Sequence, residues 1–144
     1  MNNHRLLIGV IGNDIHVVAN KIMSRGLEEA GYEVCNLGIS NTPRNFIDAA
    51  KEFLPNLILV SSLNGEAEGW VTNLREDLNK EGLEKVLMYI GGNLAVGDKD
   101  DTLTIESRFL RMGFNRAYHR PIGFSRLFID LKADLNEGYE DGSS

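Results

Sequence analysis

Three short segments hold the residue types that chemistry needs. The first is Asn13-Asp14-Ile15-His16-Val17, in which an imidazole stands two residues beyond a carboxylate. Imidazole is the commonest protein ligand for a metal, and a ligating ring is usually oriented by a carboxylate on its other nitrogen. In an extended loop, residues i and i+2 point the same way, so Asp14 is placed to accept from the His16 nitrogen that a metal leaves free. The second segment is Ser61-Ser62-Leu63, two hydroxyls and an apolar residue. The third is Gly91-Gly92-Asn93, running on through Leu94, Ala95 and Val96 to Gly97. Missing side chains at Gly91 and Gly92 let a large group lie against the backbone.

Each segment also has a plainer reading. Asp14 caps the first helix and His16 is solvated; Ser61 and Ser62 bond local backbone; Gly91-Gly92 makes a tight turn. His4 and His119 have no carboxylate at useful spacing and read as solvated histidines. Trp70, near a helix start, reads as packing or interface. Cys35, the only cysteine, lies in an apolar strand and reads as a buried structural thiol, with no disulfide framework and no multi-thiolate zinc site.

The elements that must position these segments follow from hydrophobic spacing. Arg5 to Ile11 is an apolar strand, and Val17 to Ala30 has helical spacing through Val18, Ile22 and Leu27 before Gly31 stops it. Tyr32 to Leu37 is a second strand. Thr42-Pro43 supplies a cap and an N1 proline for a helix whose face is Phe46, Ala49, Ala50 and Phe53. Then come a strand over Leu57 to Ser62, a helix over Glu68 to Asn79 and a strand over Val86 to Ile90. A helix over Thr104 to Met112, closed by Gly113, leads to a short strand over Arg116 to Tyr118. Phe124 to Leu135 is a final amphipathic helix, and residues 137–144 form a frayed polar tail. Residues 1–136 are thus expected to form one α/β domain of the flavodoxin-like, doubly wound class, with a five-stranded parallel sheet in the order 2-1-3-4-5. Ligands bind beyond the carboxyl ends of strands in such sheets, and all three segments fall there.

Composition narrows the function. The 144 residues suit one domain, and 42% hydrophobic with 25% charged residues is ordinary for a folded protein. Net charge is −6, with 21 acidic against 15 basic residues and no basic stripe, so nucleic acid is not an expected partner. Apolar runs fall short of the roughly 20 residues of a membrane helix, and no secretory signal is evident; a cytoplasmic protein is expected. No Gly-x-Gly-x-x-Gly or Walker lysine loop is present to cradle a dinucleotide or triphosphate. An aspartyl-phosphate receiver needs an acid where this chain has Ser61-Ser62.

Taken together, Asp14-Ile15-His16-Val17-Val18-Ala19, Ser61-Ser62-Leu63 and Gly91-Gly92 resemble the Asp-x-His-x-x-Gly, Ser-x-Leu and Gly-Gly series of cobalamin-binding domains in which a histidine ligates cobalt. Gly9-Val10-Ile11-Gly12, Asn20-Lys21-Ile22, Glu66-Ala67-Glu68, Tyr89-Ile90-Gly91-Gly92-Asn93, Asp130-Leu131-Lys132 and Asp134-Leu135-Asn136 extend the resemblance, over nearly the whole chain, to the small subunits of glutamate (methylaspartate) mutases. The resemblance implies His16 as lower axial ligand of adenosylcobalamin, with Asp14 orienting it. The displaced nucleotide tail would enter a slot between the sheet and the first helix, lined by Ser61 and Leu63, with residues Asn93 to Gly97 as its other wall beside Gly91 and Gly92.

It further implies a radical isomerase interconverting L-glutamate and threo-3-methylaspartate, active only with a large (β/α)8-barrel subunit, two small and two large subunits together. A related mutase acting on another acid and a non-catalytic cobalamin sensor are the alternatives. A methyl-transfer corrinoid carrier usually brings an N-terminal helical cap, for which a strand starting at Arg5 leaves no room. Two departures stand out. Ala19 occupies the motif's last glycine position, and an extra methyl against a packed ligand costs about 1–3 kcal/mol. His119-Arg120-Pro121-Ile122-Gly123 replaces a proline-rich loop.

Overall fold

The computed structural model describes residues 4–12, 17–95 and 100–135. Its elements run β1 (Arg5–Val10), α1 (Val17–Glu29), β2 (Glu33–Asn36), α2 (Pro43–Phe53), β3 (Leu57–Ser62), α3 (Ala67–Val71), α4 (Leu74–Lys80), β4 (Leu87–Gly92), α5 (Thr102–Arg111), β5 (Arg116–His119) and α6 (Phe124–Leu135). The strands pair in parallel in the order β2-β1-β3-β4-β5, as their alternation with helices requires.

Successive side chains on a strand point to opposite faces, and this divides the core in two. Leu7, Ile58, Val60, Met88 and Ile90 face α2, α3, α4 and α5, meeting Phe46, Val71, Leu78 and Phe109. Leu6, Ile8, Leu57, Leu59 and Tyr89 face α1 and α6, meeting Leu27, Leu127 and Leu131. Both faces are dry because crossovers of parallel strands must pass over them. Thr42 caps α2 as its type predicts: its side chain accepts from the Asn45 amide at 3.2 Å, with Pro43 in the first turn.

Four expectations are corrected. The helix read over Glu68 to Asn79 is two helices, since the Thr72 hydroxyl bonds back to the Glu68 carbonyl at 2.6 Å and Asn73 leaves helical geometry. The fourth strand does not end at Ile90: Gly91 and Gly92 are the last residues of β4, paired with Ser61 and Ser62 on one side and Tyr118 and His119 on the other, so the plainer reading as a tight turn does not hold. Val18 and Ile22 do not face the core; they are 70% and 57% exposed, while Asn20, Met23 and Leu27 turn inward. Cys35 is only half-buried, because β2 is an edge strand; partial burial still raises its thiol pKa.

Candidate functional site

At the carboxyl edge of the sheet, side chains facing α1 and α6 shrink. β3 presents Leu57, Leu59 and then Ser61; β4 presents Leu87, Tyr89 and then Gly91. Where bulk runs out, a slot of about 220 Å³ opens, floored by Val10, Leu59, Ser61 and Gly91. Ala19, Asn20 and Met23 of α1 form one wall, and Arg120, Pro121 and Ile122 of the β5–α6 loop form the other. A second hollow of about 280 Å³ adjoins it under the same loop, reaching Ile22 and Phe124.

The two glycines differ. A methyl at Gly91 would find Tyr118 carbons at 3.6 Å, ordinary contact, so nothing in the packing demands glycine there. Its missing side chain adds only to the slot. Gly92 has φ +122°, and a methyl would fall 2.1 Å from the Ser62 carbonyl oxygen, so the fold itself needs glycine at that position.

Of the residues singled out in the sequence, Ser61, Leu63, Gly91 and Gly92 come together around the slot. Ser62 does not: by alternation it shares the opposite face with Ile58 and Val60, and its buried hydroxyl has no partner among the described residues. Val17 starts α1 at 38% exposure, away from the slot lining. Leu94 and Ala95 pack against the core under α2 to α5, and Asn93 is exposed; among the described residues the slot's outer wall is the β5–α6 loop. Asn13, Asp14, Ile15, His16, Val96 and Gly97, like Asn136 and the tail, lie outside the described residues.

His119 is not solvated. It is 7% exposed, its Nδ1 accepts from the Leu94 amide at 3.2 Å, and its own amide donates to the Glu106 carboxylate at 2.8 Å. The next amide, of Arg120, donates to the Gly92 carbonyl at 2.7 Å. These bonds tie the two strand-end loops together. Trp70 is half-buried against the α2–α5 core, beside Gly12, as packing.

A polar network fixes α6 below the slot. Arg116 donates to Asp134 at 2.7 and 3.1 Å and sits 3.3 Å from Asp130. The Tyr89 and Tyr118 hydroxyls donate to Asp134 and Asp130 at 2.5 Å each. The Arg116 hydrogen bonds hold the Asp134 carboxyl below its usual pKa, while burial, and secondly the bonds to Asp134 and Asp130, push the Tyr89 and Tyr118 phenols well above theirs. The network anchors Tyr118, whose ring lines the slot, and the Arg126 guanidinium lies over that ring, 5.4 Å from its centroid.

Sequence reasoning missed Asn20, Tyr118 and the 120–122 wall. Asn20 had a usable signal: it occupies an inward position three and seven residues before Met23 and Leu27, where a polar residue needs a reason. Arg120 had none, since a residue before proline is expected to be extended, yet its φ is +89°.

A family model described as "B12 binding domain" matches residues 4–109. The chain is 40% identical over 136 residues to the glutamate mutase sigma subunit of Clostridium tetani, covering 94% of this chain and 98% of that one. It is 42% identical over 140 residues to glutamate mutase sigma subunit 2 of Haloarcula marismortui, covering 96% and 93%. The chain belongs to the B12-binding domain family, among the glutamate mutase sigma subunits. Its fold is also that of a cobalamin-binding protein from Desulfitobacterium hafniense, with TM-score 0.61 and 23% identity over 81% of this chain and 52% of that one. This sigma-subunit family member has, among its described residues, no helix long and apolar enough to cross a membrane and no cluster of three or more metal-ligating side chains. Any ligation through the segment of His16 therefore lies outside them.

Proposed function

We propose that the chain is the cobalamin-binding small subunit of a glutamate mutase, working in the cytoplasm with a large barrel-type subunit. The observation that carries this reading is the slot over Gly91: an apolar cleft at the carboxyl edge of a doubly wound sheet, widened by a glycine that the surrounding packing does not require. Such a cleft fits the flat, apolar base of cobalamin's nucleotide tail.

In this reading Ser61, Leu63, Ala19, Met23 and Ile122, which line the slot, would hold the base. His16 would hold the cobalt and Asp14 would orient the imidazole, as the resemblance to cobalamin domains with a histidine on cobalt implies. The adenosylated cofactor, when bound, supplies a cobalt–carbon bond whose homolysis starts a radical rearrangement. The chain's own work is to hold the tail and to present the sheet edge to the partner, which excludes water.

Substrate recognition belongs on the other subunit. Glutamate and 3-methylaspartate each carry two carboxylates and an amine, and their capture calls for several cationic donors. Among the described residues lining the slot, Arg120 is the single charged one. We assign two small and two large subunits to the assembly.

Mixing the protein with a glutamate mutase large subunit and adenosylcobalamin should convert glutamate to methylaspartate, while either protein alone does nothing. If a cognate large subunit is present, cobalamin binds, and no isomerisation of glutamate or a related acid occurs, the mutase reading fails and a sensing role replaces it.

A further inference from the structure

Arg120 has three unusual properties. Among the described residues it is the sole charged one lining the slot, in a chain whose net charge is −6. Among the described residues its guanidinium has no hydrogen bond or ion pair, whereas Arg116 nearby in sequence is fully engaged by Asp130 and Asp134. Its backbone takes φ +89°, a conformation that non-glycine residues rarely adopt, directly before Pro121. The conformation is enforced on both sides: the Arg120 amide is bonded to the Gly92 carbonyl, and the ring of His119 is buried and bonded to Leu94. Among the described residues, the wall of the cleft thus carries one cation without a charged partner, on an exposed residue whose backbone is held in place.

We propose that Arg120 is a specificity residue for the cofactor: its guanidinium meets the phosphodiester of cobalamin's nucleotide tail while the apolar slot takes the attached base. The inference rests on the cobalamin reading above. The tail combines an apolar aromatic base, a ribose and one negatively charged phosphodiester, and the cleft combines apolar walls at Val10, Met23, Leu59 and Ile122 with one cation. A guanidinium recognises phosphate through paired N–H donors, and in an acidic protein such a local cation offsets the general repulsion of an anion. Arg120 in this role positions the tail and selects cofactors that carry one.

The test compares binding of cobalamin with binding of cobinamide, which lacks the nucleotide, to the full chain and to three variants. Arg120→Gln should raise the cobalamin Kd about tenfold, equivalent to about 1.4 kcal/mol, and leave the cobinamide Kd unchanged. Arg120→Lys should retain part of the affinity. Arg120→Gly removes the cation but relieves the backbone, so it should behave like the Gln variant. The advantage of the natural chain should shrink as salt is raised.

Equal weakening of cobalamin and cobinamide, or a Gly variant that binds like the natural chain, would show that Arg120 only shapes the loop. Unchanged cobalamin binding in Arg120→Gln, with or without a loss of large-subunit binding, also overturns the proposal and leaves the cobalamin reading standing. Failure of the natural chain to bind cobalamin at all overturns both.

Discussion

Asn20 of α1 and Asn36 of β2 exchange two side-chain hydrogen bonds, each 2.9 Å long, across the seam between helix and sheet edge. Asn20 is buried, and it turns the first helix so that Met23 and Leu27 enter the core and Val18 and Ile22 face out. A paired amide can be buried at little net cost, but one left alone is expensive. Asn36→Ala should therefore lower stability by about 1–3 kcal/mol. In a double-mutant cycle with Asn20→Ala, the two losses should be clearly less than additive, as read from urea denaturation. Additivity to within about 0.5 kcal/mol would mean that the pair does not fix the helix.

Gly91 and Gly92 should respond oppositely to alanine. Gly91→Ala meets ordinary contacts and should fold with nearly unchanged melting temperature, but it fills the slot and should weaken cobalamin by about 1–3 kcal/mol. Gly92→Ala combines positive φ with a backbone clash and should destabilise the cobalamin-free protein outright. Calorimetry and cofactor titration on both variants separate the effects. A Gly91 variant that binds cobalamin normally would remove the slot from the binding site.

The pairing of Arg116 with Asp134 predicts part of the acid sensitivity. Asp134 has its folded pKa lowered below 3.8, chiefly by the Arg116 hydrogen bonds, so its contribution is present above that value and is lost as pH falls through the folded pKa. Asp134→Asn should be less stable than the natural chain near neutrality, and the deficit should narrow below about pH 4. Melting temperatures from pH 7 downward provide the check; a deficit that stays constant would assign Asp134 no linked proton.

The fold was legible because its signals are redundant. Apolar runs alternate with helical spacing, and Thr42-Pro43, Gly31 and Gly113 mark boundaries through local geometry that tertiary contacts do not override. The site was only half legible. Ser61, Leu63 and Gly91 sit at strand ends, and strand ends converge in any doubly wound sheet. The loop run Leu94-Ala95 was expected at the slot, but which side of the sheet a loop packs on is decided by long-range contacts such as the bond from the Leu94 amide to His119. The same bond explains why His119 looked solvated: its partner is a backbone amide 25 residues away, which no sequence spacing encodes. In α1 the apolar residues Val18 and Ile22 suggested the wrong inner face: the helix turns Met23 and Leu27 inward together with Asn20, whose amide is paired with Asn36.

His16 remains the residue on which cobalt ligation is staked. His16→Ala should leave the fold intact, since in the sequence it falls in the polar segment between the first strand and α1 and not in an apolar run. In the reduced, cobalamin-bound protein, nitrogen superhyperfine coupling from the protein should appear in the electron paramagnetic resonance spectrum and vanish in the variant. Coupling that survives the substitution assigns the ligand elsewhere.

Ala19 is the chain's departure from the motif glycine, and it lines the slot from α1 opposite Gly91. Its methyl therefore reduces the room available to the nucleotide tail, while alanine in a helix gains up to about 1 kcal/mol over glycine. Ala19→Gly should bind cobalamin more tightly, by up to the ~1–3 kcal/mol of relieved overpacking, and should lose stability without cofactor. The hollow under Pro121 and Ile122 adjoins Ala19 as well, so the β5–α6 loop has space into which a crowded tail can push it. The size of the gain measures that freedom: a full gain means that the Gly26–Phe124 contact and the Arg120–Gly92 bond hold the loop rigid. Lost stability with unchanged affinity would mean that the loop gives way and that the natural chain already accommodates its alanine.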